Sequence, residues 1–351
     1  MSGESSNKAG WFSLLEPVKP ELPAPRLDDP RLGEIVEFWR GDMGALKPGR
    51  GVIVGFPQDE GVRRNQGRPG AAAAPNEIRR FLYRLTPWDG FRNIDLRANP
   101  PLDVGNVRIE GNLEESQHAL AEVVGGILVA GAVPIVLGGG HETAFGHFLG
   151  HVFAGERERI VITQHDNPVA QLAGKSVTII NLDAHLDVRP CTNDGGHSGS
   201  PFRQAMEHLS HPLPGNKYVC LGAQPHAISR EHLNFVTERG GVVRWCDQVR
   251  GKLYQELADH LERLGSVYLS IDADVVQLAD VPGVSAPNAS GLSGSEVLAA
   301  ALAAGQSKNV SSFDLVEVNP SLDRDGQSAR WGALLIWHFL IGLANRGKQS
   351  K

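Results

Sequence analysis

Seven short runs of nearly unbroken apolar character constrain this chain more than any other feature of its sequence. GVIVGF (51–56), VPIVL (133–137), VTIINL (177–182), YVCLG (218–222), VVRW (242–245), VYLSI (267–271) and SFDLV (312–316) are too short for helices and lack polar alternation. Strands read this way when both faces are buried, as in a parallel sheet covered by helices on each side. The stretches between them supply the helices. LEESQHALAEVVGGILVAGA (113–132), REHLNFVTER (230–239), LYQELADHLERL (253–264) and GSEVLAAALAAG (294–305) show helical spacing, with Asn112, Ser229 and Ser293 placed as N-caps. The apolar segment 331–344 predicts a further buried helix and is too short to span a bilayer. The expected class is α/β with a mostly parallel sheet.

Residues 1–48 differ from this pattern. Pro17, Pro20, Pro23, Pro25 and Pro30 can neither donate to a ladder nor continue a helix, so this part is expected to be an arm. Its Trp11, Phe12, Leu14 and Leu15 predict packing on the body or on a neighbouring subunit. No break in composition divides residues 49–351, which predicts one domain. A net charge of −6 with no dense basic block argues against nucleic acid as a partner, and the absence of an apolar signal core argues against a membrane. Cys191, Cys220 and Cys246 form no CxxC pair, so the sequence suggests neither a disulfide framework nor a cysteine zinc site and fits a reducing cytoplasm. Assembly as a homo-oligomer is expected.

Ligands of an open parallel sheet bind beyond the carboxyl ends of its strands. There, 133–137 runs into Gly138-Gly139-Gly140-His141-Glu142, 177–182 into Asp183-Ala184-His185-Leu186-Asp187, and 267–271 into Asp272-Ala273-Asp274. The run 312–316 delivers Glu317-Val318-Asn319-Pro320. In extended chain, alternate residues share a side, so Asp183, His185 and Asp187 should converge, as should Asp272 and Asp274. Four carboxylates crowded at a buried strand end repel one another unless cations compensate them. Four Asp with two neutral His carry a charge that two divalent ions balance, and oxygen-rich ligation with some imidazole suits manganese.

The set GGGHE (138–142), NLDAHLDVRP (181–190), SIDADVV (270–276) and DLVEVNP (314–320), in that order, resembles the ureohydrolase superfamily of arginases and agmatinases. The resemblance covers about 50–345 and implies an arginase-like three-layer α-β-α fold that hydrolyses an amidine or guanidino substrate with two metal ions. It also implies that His141, Asp183, His185, Asp187, Asp272 and Asp274 are the metal ligands, that Asp187 moves a proton, and that Glu317 receives the substrate's amidinium.

Three further stretches resemble the formimidoylglutamase branch: EGVRRNQGRPGAAAAPNEIRRFL (60–82), DVRP (187–190) and SGSPF (198–202). Ser198 stands where agmatinase-like members carry His, with His197 one residue earlier. A substrate with two carboxylates and one cationic amidine needs anion clamps, and guanidinium forks bind carboxylates bidentately. Arg63, Arg64, Asn65 and Arg68 on the 60–82 loop, with Arg189 and Ser198, are the candidates. The branch implies hydrolysis of N-formimidoyl-L-glutamate to L-glutamate and formamide, as in histidine degradation. Other guanidino hydrolases, single-zinc deacetylases of the same fold and a catalytically silent metal-binding homologue are the alternatives. Cys191 lacks a recognisable general base, His165 reads as a loop histidine, and 156–175 as an insertion before the Asp183 strand.

Overall fold

The computed structural model describes residues 10–22, 24–25, 28–164 and 177–346. In chain order its strands are β1 (Leu15–Glu16), β2 (Glu37–Phe38), β3 (Gly51–Gly55), β4 (Trp88–Asp89), β5 (Ile94–Asp95) and β6 (Leu102–Val107). They continue with β7 (Val133–Leu137), β8 (Thr178–Leu182), β9 (Tyr218–Ala223), β10 (Val242–Trp245), β11 (Val267–Asp272) and β12 (Val310–Val316). All seven apolar runs are therefore strands. Ten of the strands make one sheet in the order β1-β6-β3-β7-β12-β11-β8-β9-β10, with β2 also on β6; β4 and β5 form a separate ribbon. Every pairing in the large sheet is parallel except β1 on β6.

Alternate strand residues enter opposite cores, the signature of two-sided burial. Ile53, Ile135, Ile180 and Leu269 join the core built with the helices Leu253–Arg263, Gly294–Gln306 and Gln327–Ala344. Val52, Val54 and Val136, and Ile179 and Tyr268 further along, face the opposite cores with the helices Leu113–Val129 and Thr143–Gln164. The result is the expected three-layer α-β-α arrangement. Asn112, Ser229 and Ser293 do cap their helices, accepting from Glu115 N, His232 N and Glu296 N. The 331–344 segment lies within the Gln327–Ala344 helix, which meets Gly294–Gln306 closely: a Cβ on Gly305 would lie 2.2 Å from Phe339 O. Only glycine admits that approach. Between this layer and the sheet, Phe313 stacks on Phe339 at 4.6 Å, and truncating either ring would cost about 3–5 kcal/mol.

Several elements differ from the sequence expectation. β6 breaks the apolar pattern because its Asp103 and Asn106 are partners of Arg79: Nε donates to Asp103 at 2.8 Å and Nη1 to Asn106 at 2.7 Å. Tyr83 donates to the same carboxylate, so this polar network is satisfied in the dry interior. The stretch 60–82, expected as a loop, contains the helices Glu60–Arg64 and Ala74–Leu82, the second started by Pro75 in its first turn. Within 156–175, the residues up to Gln164 continue a helix, whereas 165–175, with His165, lie outside the described residues. The proline-rich N-terminal part packs on the body over its described residues. It lends β1 and β2 to the sheet, buries Leu15 and Leu32, and stacks Trp11 on Trp39 at 5.9 Å. Among the described residues no helix is long and apolar enough to cross a membrane.

Candidate metal centre and active site

β7, β12, β11 and β8 are consecutive neighbours in the sheet and all parallel, so their carboxyl ends open on one edge although they lie far apart in sequence. That edge gathers the four motifs. Past β7, Gly138 N donates to Leu315 O and Gly140 N to Gln58 O, pinning the turn that presents His141. Past β8 the chain leaves the extended form at once, contrary to the expectation of i, i+2, i+4 convergence. His185 N donates to Asp183 Oδ1 at 2.7 Å in a tight turn, and Asp187 adopts a left-handed backbone with φ 48°. Glu317, past β12, is also left-handed at φ 62°, an uncommon state for a residue with a Cβ.

Two ligand groups result, and they share Asp183. His141, Asp183, Asp187 and Asp272 form one; Asp183, His185 and Asp274 form the other. Asp272 and Asp274 thus serve different groups, although Asp274 N donates to Asp272 Oδ1 at 2.8 Å. His141 Nδ1 lies 2.8 Å from Asp187 Oδ2, 3.0 Å from Asp272 Oδ2 and 3.5 Å from Asp183 Oδ2, without a well-formed hydrogen bond to any of them. His185 Nδ1 stands 3.3 Å from Asp274 Oδ2 and 3.4 Å from Asp183 Oδ1, and Asp274 Oδ1 has no partner. Asp183, Asp272 and His141 are buried; the Asp187 and His185 side chains are 12% and 28% exposed, so ligands reach the centre from their side.

The electrostatics follow from crowding. Burial pushes the Asp272 carboxyl well up, and the charges of Asp274 and Asp183 push it further. Burial would lower the His141 imidazolium, but Asp187 and Asp272 hold it well above its usual range; Asp274 and Asp183 do the same for His185. Burial also raises Glu317 to about 8, partly offset by the His141 N–H that it accepts at 2.9 Å. Four carboxylates and two imidazoles, with His141 Nδ1 and Asp274 Oδ1 left without partners, suit a pair of divalent ions.

Behind His141 lies a relay that sequence reasoning missed. Its Nε2 meets Ser270 Oγ at 3.1 Å, and Ser270 Oγ donates to Asp314 Oδ1 at 2.7 Å. Asp314 also takes Tyr268 OH and His147 Nδ1. The relay fixes the ring so that Nδ1 faces the carboxylates, the usual support of a histidine ligand. The signal was present as polar Ser270 and Asp314 inside apolar β11 and β12, where they are register partners.

The candidate anion clamps do not converge as one set. Arg63 is 64% exposed beside Glu60, and Arg64 is tied to Glu114 at 2.6 Å and to Gly196 O. The Glu114 contact raises the Arg64 pKa against burial and neutralises its charge locally. Arg68 donates to Ser285 O and Val284 O and thereby anchors that loop. Asn65, Ser198 and Arg189 do come together: Asn65 Nδ2 donates to Ser198 Oγ at 3.0 Å, and Arg189 Nη1 donates to Asn65 Oδ1 at 3.1 Å. No carboxylate pairs with Arg189 among the described residues. His197 has both ring nitrogens engaged by backbone, Nε2 on Pro190 O at 3.0 Å and Nδ1 accepting from Gly199 N at 3.1 Å. Burial lowers its pKa, and the ring locks the 197–200 turn. Cys191 is exposed and its thiol pKa is pushed up, chiefly by burial of the group's surroundings, which disfavours a nucleophilic thiolate.

The family model described as Arginase family matches residues 50–342. Formimidoylglutamase of Chromobacterium violaceum is 34% identical over 314 residues, covering 87% of this chain and 93% of the relative. That of Paraburkholderia xenovorans is 39% identical, covering 82% and 87%. The crystal structure of Trypanosoma cruzi formiminoglutamase with Mn2+2 superposes with a TM-score of 0.77 at 32% identity, over 91% of this chain and 100% of that one.

Proposed function

Because the chain belongs to the arginase family, we propose that it hydrolyses N-formimidoyl-L-glutamate to L-glutamate and formamide with two divalent metal ions, manganese being the natural pair. The observation that carries the proposal is the pairing of a two-part His/Asp centre with Arg189, which no carboxylate among the described residues neutralises.

His141, Asp183, Asp187 and Asp272 would hold one ion, and Asp183, His185 and Asp274 the other. Bound there, the ions would supply Lewis acidity and lower the pKa of a water at neutral pH. The remaining roles belong to the chain's own groups. Glu317, held by His141 N, would receive the cationic N–H groups of the formimidoyl end through charge-assisted bonds. Asp187, on the open side, would pass a proton to the nitrogen that leaves as the C–N bond breaks. Arg189, Asn65 and Ser198 would take the carboxylates at the other end of the substrate, with Arg68 supporting the loop that faces them. Arg63 and Arg64 would lend at most distant positive potential.

The commitment of His197 to backbone supports the formimidoyl substrate over guanidino compounds, because the loop then offers no free imidazole. Free thiols at Cys191, Cys220 and Cys246 accord with residence in the cytoplasm. The catalytic unit would span 49–351, with 1–48 as its arm. Formamide and urea release from a panel of amidines and guanidines, with the manganese-loaded protein, tests the assignment. Formamide from formimidoyl-glutamate should dominate and Glu317→Gln should abolish it; faster urea release from a guanidino compound would reassign the enzyme.

A further inference from the structure

Glu142 follows the ligand His141, is wholly buried, and has no place in the chemistry described above. Its carboxyl lies against Gly61 and Gly140, in the seam between the start of the Glu60–Arg64 helix and the turn after β7. Oε1 accepts from Gly61 N at 2.8 Å, and Oε2 has no hydrogen-bond partner. The seam is shaped around this carboxyl: a Cβ on Gly61 would lie 2.4 Å from its Cδ, and one on Gly140 would lie 2.1 Å from its Oε2. Glycine at both places leaves the room that the glutamate fills.

Gly61, in the short Glu60–Arg64 helix, joins that helix to the Ser198 turn. Its carbonyl accepts from Ser198 N at 3.1 Å and from Asn65 N at 3.0 Å. Ser198 and Asn65 are the two residues whose side chains meet, and Asn65 in turn holds Arg189. A continuous chain of contacts therefore runs from Glu142 through Gly61 to the three groups that face the substrate's carboxylates. His141 has its own anchors, its backbone N on Glu317 and its ring on Ser270, so the ligand stays placed without the neighbouring side chain.

We infer that Glu142 is a positioning residue for substrate selectivity, holding Gly61 so that Asn65, Ser198 and Arg189 form one anion-recognising rim. It acts on the carboxylate end of the substrate and leaves the metal centre alone. The inference rests on the proposed formimidoylglutamate hydrolysis, and its test separates the two.

The wild-type enzyme and Glu142→Ala are compared, after manganese loading, on formimidoyl-glutamate and on an N-alkyl formamidine without carboxylates. In Glu142→Ala, KM for the dicarboxylate should rise roughly ten- to a hundredfold, the scale of a misplacement near 1 Å, with kcat little changed. KM for the neutral-tailed amidine and the manganese content should match wild type. Glu142→Gln keeps an acceptor for Gly61 N and should restore the dicarboxylate KM. Glu142→Asp withdraws the carboxylate by one methylene and should show the same split if the alanine variant does not fold. An unchanged KM, equal losses on both substrates, or lost manganese would overturn the inference. A wild type that does not prefer the dicarboxylate would instead remove the proposed activity, and that result is read before any variant.

Discussion

Arginines of similar sequence context should differ sharply in what their removal costs. Arg64 lies 2.6 Å from Glu114 and is mostly buried, so its charge is already compensated; the Arg189 guanidinium donates to the neutral Asn65 and pairs with no carboxylate among the described residues. A charged hydrogen-bonded contact contributes about 1.5–3 kcal/mol, and the exposed setting of Arg189 argues for the lower part of that range. At about 1.5–2 kcal/mol, Arg189→Ala should raise KM for formimidoyl-glutamate roughly ten- to thirtyfold. Arg64→Ala removes a pair that is already closed and should change KM less than about threefold. Steady-state kinetics on formimidoyl-glutamate and a neutral-tailed formamidine, at low and high salt, would measure both. The Arg189 effect should appear only on the anionic substrate and shrink with salt, because an exposed charge pair is screened. Wild-type behaviour of Arg189→Ala, or a larger specific loss in Arg64→Ala, would refute this division of charge.

The shared position of Asp183 predicts a graded response of metal content: Asp183→Asn should lower both ions, from about two per chain to below one, whereas His185→Asn should spare the His141 group and leave about one. Elemental analysis after manganese loading decides this, and equal losses in the two variants would contradict it. Away from the centre, His151 meets Ser312 Oγ at 2.7 Å, and burial, followed by the His147 charge, drives its pKa down to about 3. An imidazole depressed from its usual value contributes stability that is present above about pH 6.5 and lost as pH falls toward 3, roughly 2 kcal/mol being gone at pH 5. His151→Gln should therefore lose less stability than wild type between pH 7 and pH 5 in urea unfolding; identical losses would exclude His151 as the cause.

The strands on which the site stands were legible because each is buried on both faces, and a run such as VPIVL has no other soluble explanation of that length. β6 was not, because Asp103 and Asn106 are polar for the sake of Arg79, a partner supplied by a helix that the run of alanines and prolines before it disguised as loop. The identity of the candidate ligands was legible for a similar reason: acidic residues and histidines directly after apolar strands have few structural uses. Their division was not, since it depends on the turn made by Asp183 and His185 rather than on strand alternation. The candidate clamps were the least legible. An arginine's role depends on whether a carboxylate stands beside it, and Glu114 reaches Arg64 from 50 residues away.

The left-handed backbones of Asp187 and Glu317 carry a consequence for evolution and engineering. Each holds a side chain in a conformation that glycine adopts freely and that costs an ordinary residue roughly 1–2 kcal/mol. A laboratory selection for heat resistance alone would be drawn to these two positions, where glycine or asparagine offers relief, and under the roles proposed for the two acids the winners would emerge sturdier and inert. A thermostable catalyst should therefore be sought by changes elsewhere.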